Sequence, residues 1–133
     1  MSDELSTVFE ALRRAASGLP DIIETTSYGT PALKVGKKLL ARVKDADTVV
    51  LMCPLDEKEM LLEAAPAIYF ETDHYKGWPA ILVRLSQIPP EELRHRLERT
   101  WIRQAPKKLM DALAGSEGLI HGISSGRRPG RLL

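Results

Sequence analysis

Between Ile22 and Met52 the chain sets one short β-prone run after another, with tight turns and no helix-length segment between them. This succession limits the possible folds more than any other feature. Strands joined so closely pair antiparallel, because a parallel crossover needs about a dozen residues or more. Residues 22–27 are rich in β-branched side chains and are broken at Tyr28-Gly29-Thr30-Pro31. Residues 32–35 and 39–44 flank Gly36-Lys37, a two-residue connection of hairpin type. The turn Asp45-Ala46-Asp47 leads into Thr48-Val49-Val50-Leu51-Met52, an apolar run that fits a central, buried strand.

Helical spacing appears on either side of this meander. Leu5, Val8, Phe9, Leu12, Ala15 and Ala16 recur at three- and four-residue steps and predict a helix over residues 3–17, closed by Gly18 and Pro20. A second helix is expected over residues 56–65, with Asp56, Glu57 and Glu59 toward its positive end and Pro66 as its stop. Residues 67–71 and 80–85 read as two further strands around the turn-rich, aromatic segment 73–79. Pro89-Pro90 opens a long helix carrying Leu93, Leu97 and Trp101 at steps of four, and Ala105-Pro106 breaks it. A short helix over 106–114 completes the domain. The expected order is α-β-β-β-α-β-β-α-α, an α+β domain with helices on one face of an antiparallel sheet. A single domain over residues 1–114 is expected to precede a flexible tail, 115–133, containing Gly, Ser, Arg127, Arg128 and Arg131.

With 133 residues the chain fits one domain. Its lone cysteine, Cys53, excludes an intrachain disulfide and is expected to pack as a small hydrophobe. Met1-Ser2-Asp3-Glu4 is acidic where a signal peptide is basic, and no apolar run approaches the ~18 residues of a membrane span. A cytoplasmic protein with no membrane partner is therefore expected. The net charge is only +1, but it is strongly segmented. Residues 34–44 carry +5 from Lys34, Lys37, Lys38, Arg42 and Lys44, residues 45–75 carry −7, and residues 99–133 carry +5.

Three stretches together resemble the MmcQ/YjbR family. The first is Tyr28-Gly29-Thr30-Pro31 leading into the lysine-bearing hairpin up to Arg42. The second is Pro66-Ala67-Ile68-Tyr69-Phe70 continuing to His74-Tyr75-Lys76-Gly77-Trp78, and the third is Trp101 followed by Ala105-Pro106-Lys107-Lys108-Leu109. They occur in the family's order and cover about residues 5–114. Leu33 and Leu40 depart from it, standing where the family often has phenylalanine, which thins the aromatic content. The resemblance implies an α-β3-α-β2-α fold like that of secretion chaperones, and a DNA-binding role resting on shape and charge.

Two basic sets are the candidate nucleic-acid-binding residues. In the hairpin, strand alternation is expected to bring Lys34, Lys38, Arg42 and Lys44 together at a sheet edge, with Lys37 in the turn, where they can neutralise phosphates. The bland alternative is a solvated edge whose lysines oppose aggregation. On the long helix Arg96, Arg99 and Arg103 share a face, and Lys107 and Lys108 open the next helix, where cations oppose the macrodipole but frame an anion site. Glu92, four residues before Arg96, is the ordinary surface partner for that arginine. His74, Tyr75 and Trp78 form a loop that can hold a ligand or stack on bases, or simply fold onto the domain edge. Asp73, His74 and Glu71 are too few for a metal site, so neither metal nor cofactor is expected. No P-loop, GxGxxG, CxxC, HExxH or GxSxG occurs, and His74, His95 and His121 are scattered, so no catalytic set can be assembled. The expected function is DNA binding through phosphate contacts. A protein-interaction or chaperone-like adaptor and a small-ligand binder remain as alternatives.

Overall fold

The computed structural model describes residues 2–114, and the side chains of residues 5–111. The expected tail, with His121 and its three arginines, lies outside the described residues. Helix α1 (Ser2–Ala15) leads into strands β1 (Ile22–Ser27), β2 (Thr30–Val35), β3 (Lys38–Val43) and β4 (Thr48–Met52). Helix α2 (Leu55–Ala64), strand β5 (Tyr69–Phe70), a 3₁₀ turn at Asp73–Tyr75, strand β6 (Ala80–Arg84) and helices α3 (Pro90–Gln104) and α4 (Lys107–Ala114) follow. The strands form one six-stranded sheet in the order β1-β2-β3-β4-β6-β5, antiparallel at every junction. The α+β class is as expected.

Three elements differ in detail from the sequence reading. The apolar run 48–52 is the buried strand its residues indicate, and with it four strands precede α2, where the expected order counted three. Strand β2 starts at Thr30, earlier than its proline suggested. Pro31 lies opposite Thr26 of the edge strand β1, close to the strand's start, where a missing N–H is tolerated. Strand β5 is only two residues long. The chain is still turning out of α2 there, since the amides of Ile68 and Tyr69 both donate to the Ala65 carbonyl, at 3.0 and 2.9 Å.

The sheet is covered unequally. On one face Leu33, Val35, Ala41, Val43, Val49, Leu51, Ile81 and Val83 pack against Val8, Phe9 and Leu12 of α1 and Leu93, Leu97 and Trp101 of α3. Trp101 is buried and its Nε1 donates to the Pro20 carbonyl at 2.9 Å, tying α3 to the segment between α1 and β1. On the outer face Val50, Ala80 and Leu82 form a smaller cluster with Met52, Phe70 and Tyr75, and among the described residues no α-helix packs on it. Alternate residues of β4 therefore enter different clusters, which is why its run is apolar without a break. No helix among the described residues is long and apolar enough to cross a membrane.

Candidate functional site

The hairpin of β2 and β3 is not a wing or an edge. Strands β1 and β4 flank it inside the sheet, so its lysines protect no free edge and do not gather. Lys34 lies opposite Leu39, Lys38 opposite Val35 and Arg42 opposite Ala32, with the register shifting between Leu33 and Lys34. Opposed residues share a face, so Lys38 lies on the helix side with Val35, whereas Lys34 and Arg42 belong to the outer face. Leu40 is the extra residue of the bulge and is fully buried. Lys44 follows the other end of β3, roughly 20 Å from Lys38 at about 3.4 Å per residue. The expected convergence of Lys34, Lys38, Arg42 and Lys44 is thus corrected by the alternation and by the bulge.

A different grouping arises at the hairpin tip. Gly36 has φ +61, and a Cβ there would lie 2.9 Å from Pro106 Cγ. The Gln104 side chain donates from Nε2 to the Leu39 carbonyl at 3.0 Å. The turn is thereby seated on the α3–α4 junction, which brings exposed Lys37 and Lys38 beside exposed Lys107 and Lys108. Lys107 reaches Asp111 at 3.3 Å across the solvent-exposed surface of α4. Lys37, Lys38 and Lys108 make no ion pair among the described residues.

The arginines of α3 are engaged elsewhere. Glu57, on α2, receives Arg96 Nη1 at 2.7 Å on one oxygen, and Arg99 Nη2 at 3.2 Å and Arg103 Nη2 at 2.8 Å on the other. Burial alone would raise the Glu57 carboxyl, but the hydrogen bond from Arg99 and the charges of Arg103, Arg99 and Arg96 hold it below the ordinary carboxylate range. Arg96 does not pair with Glu92, which instead accepts from the buried Tyr69 hydroxyl. Burial and that carboxylate push the Tyr69 phenol up. Arg99 and Arg103 remain partly exposed, so three guanidiniums around one carboxylate leave a local excess of positive charge. Cys53 is buried nearby, and desolvation followed by the Glu57 charge raises its thiol to about 11. It packs as an inert small hydrophobe. A cavity of about 210 Å³ adjoins it, lined by Met52, Pro54, Pro79, Thr100, Arg103 and Gln104. Thr100, Arg103 and Gln104 all have partners within the protein, namely the Met52 carbonyl, Glu57 and the Leu39 carbonyl.

The aromatic loop lies toward the outer face. Tyr75 packs on its apolar cluster and accepts from Arg42 Nη2 at 2.8 Å, while His74 meets Tyr75 edge-on at 5.0 Å between centroids. Trp78 is largely exposed. The loop is held from beneath by Lys58, whose buried ammonium donates to the Tyr75 carbonyl at 2.7 Å and the Trp78 carbonyl at 2.9 Å and pairs with Glu71 at 2.9 Å. Arg42 also lies over the ring of Tyr28, 5.1 Å from its centroid. Among the described residues no group of His, Cys, Asp and Glu side chains is clustered as a metal site would require.

Sequence reasoning missed Glu57, Lys58 and Tyr28. For the first two a signal existed. Helix α2 has no clean apolar stripe, and its charged residues at positions 57 and 58 fall on the face where core residues belong. Tyr28 gave a signal as well, since a tyrosine before glycine in a two-residue hairpin turn replaces the Asn or Asp that the geometry favours.

The family model YjbR matches residues 17–102. Uncharacterised proteins of Mycobacterium bovis and of two strains of Mycobacterium tuberculosis are each 31% identical over 129 aligned positions, covering 83% of this chain and 98% of theirs. No solved structure gives a significant match. The matched span runs from just after α1 to just past the buried tryptophan of α3, and so includes every strand and Glu57 with Arg96 and Arg99, but not Arg103. The chain belongs to the MmcQ/YjbR family.

Proposed function

We propose that this protein is a cytoplasmic nucleic-acid-binding domain, with DNA as the expected partner, and that it grips phosphates at the hairpin tip. The observation that carries this reading is the seating of Gly36 on Pro106, which groups Lys37 and Lys38 with Lys107 and Lys108. Arg103 lies one residue before the glutamine that anchors the tip, and adds a partly exposed fifth cation. Such a group recognises the backbone charge that all sequences share and displaces its counterions. The macrodipole of α4 adds to this, since its N-terminus begins at Lys107 and favours anions. Arg42 and Lys44 lie away from the tip and Lys34 is on the outer face, so these three have no primary part in this grip.

Titration of a labelled oligonucleotide at low salt tests the proposal. Combined Lys37→Glu and Lys38→Glu substitution should weaken binding at least about tenfold, since it reverses two of roughly five contacting charges. Unchanged affinity would clear the tip of any role. An adaptor role has one specific observation in its favour: Leu55 and Met60 are about half exposed on α2, among Asp56, Glu59 and Glu63. A protein partner captured through that helix, with capture surviving nuclease treatment and lost on Met60→Glu, would favour the adaptor.

A further inference from the structure

Tyr28 is the most exposed large hydrophobic side chain among the described residues, at 89%, and it occupies an awkward place. It has φ +53 and Gly29 has φ +80, so both central residues of the β1–β2 turn are left-handed. Asn-Gly and Asp-Gly adopt that turn readily, whereas a bulky side chain in the left-handed region is an outlier. Packing does not account for the residue, because the ring buries almost nothing. Thr30 Oγ1 bonds the Ser27 carbonyl at 3.1 Å within the turn without any help from the ring.

The ring does have a backing. The Arg42 guanidinium stands 5.1 Å from its centroid. That guanidinium is fixed by the Tyr75 hydroxyl at 2.8 Å, by Thr30 Oγ1 at 3.3 Å and by the Val43 carbonyl at 3.4 Å. One cation thus orients an aromatic plane at the end of the open sheet face. Lys44 is exposed at the same end of the sheet, and Lys34 lies partway toward the tip on the outer face; neither makes an ion pair among the described residues.

We infer that Tyr28, backed by Arg42, is a stacking platform for an unpaired base, so that this protein takes single-stranded nucleic acid along the outer face of β2 and β3. In a duplex the bases already stack on one another, and a protruding ring has no free base to meet. Splayed single-stranded bases stack on aromatic and guanidinium planes while lysines track the backbone. The hairpin tip and Tyr28 are separated by the length of β2, roughly 20 Å, with Lys34 between them. The inference rests on the proposal that the protein binds nucleic acid, and its test separates the two.

The test is fluorescence anisotropy of the full chain with an oligothymidylate of about a dozen nucleotides and with a duplex of equal length. Tyr28→Asn removes the ring and suits the left-handed turn, so folding should persist with an undiminished melting temperature. It should weaken single-strand binding about tenfold while leaving duplex binding within about twofold, and Tyr28→Phe should restore the loss. If the wild type binds the single strand and Tyr28→Asn binds it equally well, the platform is refuted and the phosphate grip stands. Equal losses for single strand and duplex also refute it, since stacking on an unpaired base cannot produce them. A wild type that binds neither probe overturns both.

Discussion

Glu57 shows how far one residue's role can lie from its local pattern. In the sequence it is an acid in the first turn of a helix, where it complements the macrodipole. In the fold it gathers Arg96, Arg99 and Arg103 from a helix some forty positions away. The local rule that pairs Arg96 with Glu92 fails because Glu92 turns to the buried Tyr69 hydroxyl. Glu57→Gln would leave three guanidiniums without their counter-charge, that of Arg96 largely shielded from solvent, and should cost about 3 kcal/mol in denaturant unfolding at neutral pH. The sign of the pH dependence follows from the lowered Glu57 carboxyl. Its stabilisation is fully present above the ordinary carboxylate value of about 4.3 and is lost as pH falls through the lower folded value. Wild-type stability should therefore drop in the acid range below about pH 4, and more steeply than that of Glu57→Gln. Parallel acid curves for the two proteins would show that Glu57 carries no special charge coupling.

At the scale of elements, periodicity and turn chemistry carried most of the fold. The helices announce themselves through apolar steps and prolines, and the meander through its β-branched runs. Strict alternation already sends Lys34 and Lys38 to opposite faces, but it could not reveal the Leu40 bulge, which moves Arg42 onto the face of Lys34 and away from that of Lys38. Nor could it reveal that the hairpin is interior, because strand order depends on β4 and β1 together. Gly36→Ala should be destabilising by about 1–2 kcal/mol from its left-handed conformation alone. The added Cβ would also press on Pro106. The same variant should weaken oligonucleotide binding, because it pushes the tip off α4. The aromatic loop offers a second check. Lys58→Met removes the ammonium that bonds the Tyr75 and Trp78 carbonyls and Glu71. A loss of about 2–3 kcal/mol is expected. Faster amide exchange should be concentrated at residues 72–80, and uniform acceleration across the sheet would instead mean a global role for this lysine.

For the molecule as a whole, charge segmentation was legible and its spatial meaning was only half so. The two basic segments do meet, at the hairpin tip and the α3–α4 junction, through a glycine and a proline rather than through the charges themselves. Part of the second segment is turned inward onto the acidic middle of the chain, as the ion pairs of Glu57 show. Its other described cations, Lys107 and Lys108, join Lys37 and Lys38 in a cationic end opposite the Tyr28 turn. The most direct measurement of that end's role is the salt dependence of oligonucleotide association, compared between the wild type and the Lys37→Glu, Lys38→Glu variant. Four to five phosphate contacts predict a log–log slope of about −3 to −4.5 for the wild type, depending on strandedness, and a slope shallower by about two in the variant. Identical slopes, or no complex of the wild type at about 50 mM salt, would contradict the phosphate grip.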